Sequence, residues 1–156
     1  MYEIERKFLV NHKKWNPADK GTKMKQGYLS VVPERTVRVR ITGNEAFLTI
    51  KGKPTGIKRI ELEYKIPAAE ANELMKLCLD FPIEKTRYYE KKDNVIWEID
   101  IFEGLNKGLI LAEVELKHER QHVNLPNWIE KEVSEDYRYF NSWLSQNPFS
   151  KWEQNS

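Results

Sequence analysis

The chain opens with MYEIERKFLV, in which charged and apolar side chains alternate. Glu3, Glu5 and Lys7 therefore fall on one face of any β-strand formed by this segment, and apolar side chains take the other face. Two acids placed two residues apart on one face repel each other, which gives no gain in stability. Carboxylate oxygens are the ligands that Mg²⁺ and Mn²⁺ prefer, so the spacing is typical of a metal-binding strand face.

Six later segments repeat this alternation, and their charged faces are almost purely Glu, Asp, Lys and Arg. Further acids on these faces are Glu61, Glu63, Glu98, Asp100, Glu113 and Glu115. The bases are Arg38, Arg40, Lys51, Lys53, Arg59, Lys85 and Arg87. Paired bases of this kind are suited to binding several phosphates.

Any one of these strands is explained equally well by an antiparallel sheet with one face in water, where cross-strand ion pairs are common. Seven such strands together favour a second interpretation, because a solvated face usually mixes in Ser, Thr, Asn and Gln. A sheet closed into a barrel would direct acids and bases into one lumen. We therefore expect a site that binds a polyanion together with a metal ion.

The periodicity predicts an α+β domain of eight mostly antiparallel strands and a few helices. Strands are expected at 2–10, 25–33, 35–42, 45–53, 57–66, 83–92, 94–103 and 109–118. One helix is predicted from Pro67 to about Asp80, with Ala71, Leu74, Met75 and Cys78 on its apolar side. A second is predicted over 136–146, with Tyr139, Phe140, Trp143 and Leu144 as its buried stripe.

Composition excludes several classes of protein. The 156 residues suit one domain spanning 1–156, and the net charge of +2 gives no overall field for nucleic acid or an anionic membrane. Cys78, the only cysteine, excludes an internal disulfide and a C-x-x-C metal site. With no apolar run long enough for a membrane helix and no signal-peptide core, we expect a cytoplasmic protein.

Taken in order, these segments resemble the CYTH superfamily, the triphosphate tunnel metalloenzymes. The resemblance begins with E-x-E-x-K at 3–7 and covers nearly the whole chain. It continues through QGYL at 26–29, TVRVR at 36–40, LTIKGK at 48–53, R-x-E-x-E at 59–63, K-T-R-Y at 85–88, WEIDIFEG at 97–104, LAEVEL at 111–116 and D-Y-R-Y at 136–139.

The resemblance implies an eight-stranded antiparallel closed β-barrel that binds a triphosphate with Mg²⁺ or Mn²⁺. Its metal ligands would be Glu3, Glu5, Glu113 and Glu115. Lys7 and Lys85 would be catalytic, and phosphates would be bound by Arg38, Arg40, Lys51, Lys53, Arg59 and Arg87. The residues that orient water or hold a second metal would be Glu61, Glu63, Glu98 and Asp100.

The resemblance to short bacterial members implies hydrolysis of inorganic tripolyphosphate to pyrophosphate and phosphate. Alternatives with the same fold are a class IV adenylate cyclase, a thiamine triphosphatase and a nucleoside triphosphatase. An alternative of another class is a non-catalytic module that binds polyphosphate or nucleotides, which the E-x-E pairs disfavour. The expected partner is a small-molecule triphosphate, and the sequence leaves open a monomer or a homodimer.

Overall fold

A computed structural model describes residues 1–152 as a nine-stranded sheet with short helices. The strands are β1 (Tyr2–Val10), β2 (Thr22–Ser30), β3 (Arg35–Thr42), β4 (Glu45–Gly52), β5 (Lys58–Ile66), β6 (Ile83–Lys92), β7 (Val95–Phe102), β8 (Ile110–Glu115) and β9 (Ile129–Glu132). The α-helices in this range are α1 (Ala68–Lys76) and α2 (Asn141–Leu144). Single 3₁₀ turns form at Gly104–Asn106, Tyr137–Tyr139 and Phe149–Lys151.

Eight strands close into the predicted antiparallel barrel. Hydrogen-bonded neighbours follow the order β5-β4-β3-β2-β6-β7-β8-β1, and β1 pairs again with β5. The closing register places Glu3 opposite Arg59. Strand β9 continues that same edge of β1, with Phe8 opposite Glu132. One edge of β1 thus serves two partners, β5 along its first half and β9 along its second.

The inward faces divide the lumen into a charged part and an apolar part. Ile83, Phe102 and Leu111 share strand faces with the lumen-lining charges, and they pack with Leu144 of α2. The segment after β9 therefore fills one end of the barrel with an apolar plug. Outside, helix α1 covers β3 and β4 through Ala71, and a cluster around Trp97 covers β7 and β8.

Several element bounds differ from those predicted. Strand β2 begins three residues earlier, at Thr22, and ends at Ser30. Helix α1 ends at Lys76 rather than near Asp80, where a φ of +50° is incompatible with a continuing helix. Strand β9 was not predicted, because four residues are too short to show a clear alternation.

The second predicted helix is wrong as a continuous element. The 3₁₀ turn at Tyr137–Tyr139 is separated from α2 by Phe140, whose φ of −71° and ψ of 136° are extended. Of its predicted stripe only Leu144 is fully buried, and Trp143 is 37% exposed. The segment follows the shape of the barrel end rather than its own periodicity. No helix within residues 1–152 has the length and apolarity to cross a membrane.

Candidate active site

The charged part of the lumen is a cavity of about 230 Å³. Nearly all the predicted site residues line it, namely Glu3, Glu5, Lys7, Arg38, Arg40, Lys51, Arg59, Glu61, Glu63, Lys85, Arg87, Glu98, Glu113 and Glu115. Strands far apart in sequence contribute to it because the barrel closes. The two predicted residues absent from its lining are Lys53, which is exposed just after β4 ends, and Asp100, which is buried on the inward face of β7 beneath Lys85 and Arg87.

Glu5 and Glu113 form a buried pair of neighbouring carboxyl groups. Burial raises the pKa of Glu5 well above its usual value, and the negative charges of Glu113 and Glu3 raise it further. Burial would also raise the pKa of Glu113, but Lys7, the hydrogen bond from Glu5 and Arg87 outweigh it and hold that pKa well below its usual value. Of the two acids, Glu5 is therefore the one that binds a proton more readily.

Glu3 and Glu61 form a second pair of the same kind, bridged by a lysine. Lys51 Nζ lies 3.0 Å from both carboxylate oxygens of Glu3 and 3.4 Å from Glu61 Oε2. Burial would raise the pKa of Glu3, but Lys51 lowers it overall, helped by a hydrogen bond from Glu61. Burial and the charge of Glu3 raise the pKa of Glu61. Glu115 is exposed among the cavity-lining residues.

Elsewhere in the lumen, one buried acid is paired with two bases. Arg87 donates two hydrogen bonds to Asp100, of 2.7 and 2.9 Å, and Lys85 Nζ lies 2.8 Å from Asp100 Oδ2. Burial lowers the pKa of Lys85 to about 8, although the charge of Asp100 opposes this. Arg87 also reaches Glu98 at 3.2 Å and Glu113 at 3.7 Å, so it connects this group to the acids.

Two arginines of β3 carry buried donors without partners. Arg38 and Arg40 both approach Glu63 Oε2, at 3.7 and 3.6 Å. Their Nε atoms are buried and have no hydrogen-bond acceptor within the described part of the chain. Because an unsatisfied buried donor costs about 1–3 kcal/mol, this geometry favours a bound anion at the two guanidinium groups.

A family model for the CYTH domain matches residues 1–142. The chain belongs to the CYTH family. Over 153 residues it is 42% identical to a protein of Acetivibrio thermocellus named inorganic triphosphatase, covering 97% of this chain and 98% of that protein. Over 149 residues it is 36% identical to an inorganic triphosphatase of Nitrosomonas europaea, covering 93% and 97%.

Solved structures support the same assignment. The crystal structure of an inorganic triphosphatase matches this CYTH domain with a TM-score of 0.65 and 35% identity, over 92% of this chain and 97% of that one. A putative adenylate cyclase from Bacillus halodurans matches with a TM-score of 0.60 at 15% identity, over 75% and 81%. The second likeness is in fold alone.

The acids of this CYTH tunnel suit a hard divalent cation. Within residues 1–152, no three Asp, Glu, His or Cys side chains converge on one point. The carboxylates lie instead in the two pairs just described. Mg²⁺ typically takes one or two carboxylates and fills its other positions with water and substrate phosphates. An oxygen-only set of paired acids, in a cavity that also contains lysine and arginine side chains, therefore fits Mg²⁺ or Mn²⁺.

Residues of the plug complete the tunnel, and sequence reasoning missed them. Ser134, Phe140, Asn141 and Ser142 line the cavity, as does Tyr28 of β2. In the sequence, the plug residues are marked by position alone, because Phe140 directly follows the D-Y-R-Y segment. Lys7 is held here too, because its Nζ donates to the carbonyl oxygen of Tyr139 at 3.1 Å and lies 5.3 Å from the centre of the Phe140 ring.

Proposed function

We propose that the protein hydrolyses inorganic tripolyphosphate to pyrophosphate and phosphate with Mg²⁺ or Mn²⁺. Family membership and two relatives named inorganic triphosphatase, at 42% and 36% identity, support a triphosphatase. The structural observation that carries the proposal is that paired carboxylates and several cationic side chains line one cavity inside the barrel. The pairs Glu5–Glu113 and Glu3–Glu61 lie in the same cavity as the guanidinium groups of Arg38 and Arg40, whose Nε donors have no acceptor within the described part of the chain.

The cationic residues would bind the phosphate chain. Arg38 and Arg40 have buried N–H groups available for two neighbouring phosphates. Arg59 and Lys51 line the same cavity and extend this surface towards Glu3. Several bases at fixed positions select a substrate with several adjacent negative charges, because each charge-assisted hydrogen bond adds both affinity and orientation. Lys53 has no part in this binding surface, since it is exposed outside the cavity.

Lys7 and Lys85 would act on the transferred phosphoryl group. Charge spreads over the equatorial oxygens of that group in the transition state, and positioned cations stabilise it. Both ammonium groups are buried and reach the cavity. With its pKa of about 8, Lys85 is mainly a cation at neutral pH.

The acids would hold the metal and position water. Glu3, Glu5 and Glu113 are the ligands we assign, with Glu115 beside them in the cavity lining. When bound, the ion neutralises phosphate oxygens as a Lewis acid. Glu61, Glu63 and Glu98 are the candidates for orienting the attacking water. Asp100 is buried and does not line the cavity, so its role would be to orient Lys85 and Arg87.

A parallel substrate screen tests this function. Phosphate release is measured from tripolyphosphate, ATP and thiamine triphosphate with Mg²⁺ or Mn²⁺, and cyclic AMP is assayed alongside. A variant lacking both Lys7 and Lys85, purified identically, controls for contaminating phosphatases. We expect tripolyphosphate to be cleaved fastest and excess chelator to abolish the reaction. Faster turnover of ATP would point to a nucleotidase, cyclic AMP to a cyclase, and binding without turnover to a non-catalytic module.

A further inference from the structure

The plug brings an amide side chain to the boundary between the charged and the apolar parts of the lumen. Asn141 begins α2, three residues before Leu144, which lies in the apolar plug. Within residues 1–152, the hydrogen bonds of its side chain are with the barrel wall and not with the backbone of α2. Asn141 thus has no capping role in the helix that carries it, and its contacts are with the barrel wall.

Asn141 Oδ1 accepts two hydrogen bonds from the wall. Lys85 Nζ donates at 3.0 Å and Gln26 Nε2 at 2.7 Å. The amide has one possible orientation, because the reverse would point its NH₂ group at an ammonium ion. Gln26 is fully buried, and its Oε1 has no partner within the described part of the chain.

Lys85 therefore has two fixed acceptors for its three N–H bonds. Asp100 takes one, and Asp100 is itself held by the paired hydrogen bonds from Arg87. Asn141 takes the second. Since the ammonium nitrogen is tetrahedral, fixing two N–H bonds also fixes the direction of the third. Lys85 lines the cavity, and the third bond is the one left for a ligand there.

We propose that Asn141 is a positioning residue, whose carbonyl oxygen aims Lys85 at the phosphate chain. This inference rests on the proposed function and extends it. It assigns the plug a part in the reaction, because the plug supplies an acceptor that no strand provides. It also makes the efficiency of Lys85 depend on a segment that lies after the last strand in sequence.

Two substitutions separate positioning from packing. Asn141→Leu removes the acceptor at similar volume, whereas Asn141→Asp keeps an acceptor for both Lys85 and Gln26. We expect kcat of the Leu variant to fall about tenfold to a hundredfold, since small misplacements have costs of this size. KM should change less. The Asp variant should recover most of kcat, although its added charge raises KM for an anionic substrate.

Asn147→Leu is the matched control. Asn147 lies in the same segment outside the cavity, and its side chain donates to the carbonyl oxygen of Trp143 at 3.3 Å. It should leave kcat near the wild-type value. If the control loses as much kcat as Asn141→Leu, the plug acts through stability alone and the proposal is overturned.

A double-mutant cycle with Lys85→Ala gives the decisive result. In the Lys85→Ala background, Asn141→Leu should have almost no further effect on kcat, because the group that it positions is gone. Losses that multiply would mean independent roles and would overturn the proposal.

The same cycle is measured on the affinity for tripolyphosphate without metal, by calorimetry, so that it does not depend on turnover. Coupled affinities in a protein that does not hydrolyse tripolyphosphate would refute the proposed function and leave the positioning role standing. If tripolyphosphate is hydrolysed but the two substitutions have additive effects on affinity and on kcat, the proposed function stands and the positioning role is refuted. Absence of both binding and hydrolysis would overturn both.

Discussion

The two charged clusters of the tunnel contain similar side chains but differ in how their charges are balanced. In the first cluster, Asp100 contacts Arg87 and Lys85 at 2.7–2.9 Å, and all three side chains are buried. In the acid cluster, formed by the pairs Glu5–Glu113 and Glu3–Glu61, burial and the neighbouring negative charges raise the pKa of Glu5 well above its usual value. Opposite charges face each other in the first cluster, whereas like-charged carboxyl groups also lie side by side in the second.

This difference separates charges that stabilise the fold from charges that would act in the reaction. Removing the acid from the first cluster leaves its bases uncompensated in a medium of low dielectric constant. Removing one acid from a like-charged pair relieves repulsion instead. Stability and activity should therefore respond in opposite ways at the two clusters.

Asp100→Asn should have the largest effect on stability. It leaves Lys85 and Arg87 buried without their carboxylate, so the free energy of unfolding should fall by about 3–5 kcal/mol. Urea denaturation measures the loss. Glu45→Gln is the control, because it breaks an ion pair of similar length, 2.8 Å to Lys65, with side chains 57% and 66% exposed. The control should change stability by about 1 kcal/mol or less. Equal losses would refute the contrast.

Lys7→Ala and Lys85→Ala should each reduce kcat about a hundredfold, or about 3 kcal/mol in the transition state. The fold should persist in Lys85→Ala, since Asp100 keeps Arg87 as its partner. The double variant should lose less than the product of the two single losses, because both lysines would act on one phosphate chain. Near-normal kcat in both single variants would remove the lysines from the reaction.

Lys51→Met tests the lysine that lies between Glu3 and Glu61. Its ammonium lies 3.0 Å from Glu3 and 3.4 Å from Glu61, so its loss leaves those acids facing each other. We expect KM for tripolyphosphate to rise about tenfold, the value of one charge-assisted hydrogen bond at 1.4 kcal/mol or more. Steady-state kinetics measures this change. An unchanged KM would mean that Lys51 serves only Glu3 and Glu61.

Glu5→Gln should have the smallest effect on stability at low pH, and its stabilising effect should grow as pH rises. The native pKa of Glu5 is raised above the usual value of 4.5, so its contribution to stability is present below that value and is lost as pH rises through the native pKa. Glutamine mimics the protonated acid and can still donate to Glu113. In chelator, the variant should match wild type near pH 4 and exceed it increasingly at higher pH. Urea denaturation across pH measures the gap, and a wild type more stable than the variant at every pH would contradict the assignment.

The sequence predicted the charged faces of the lumen for one physical reason, whereas the closed eight-stranded barrel was expected from the resemblance to the CYTH superfamily. Strand side chains alternate, so one charged residue such as Glu113 identifies the face of its whole strand. This reasoning ends where the strand ends, which is why Lys53 falls outside the cavity. Alternation also cannot distinguish a residue that lines the cavity from one that supports it, because Asp100 shares the inward face of Glu98 but is buried beneath Lys85 and Arg87.

The plug was the part that sequence could not predict. A four-residue helix has no measurable period, and the extended backbone at Phe140 depends on contacts with the barrel. Asn141 falls within the helix predicted over 136–146, and no motif in the sequence marks it. Only the fold shows that it reaches Lys85, a residue 56 positions away in sequence.

The most direct test of the acid cluster is the Mg²⁺ dependence of tripolyphosphate hydrolysis in wild type and Glu5→Gln. Because both proteins are measured with the same substrate, the affinity of tripolyphosphate itself for Mg²⁺ affects both equally. We predict that activity disappears in excess chelator, returns with Mg²⁺ or Mn²⁺, and needs about tenfold more free metal in Glu5→Gln, since a lost ligand of about 1.4 kcal/mol changes an equilibrium tenfold. Activity that survives chelation, or identical metal dependence in both proteins, would contradict the assignment of the acid cluster as the metal site.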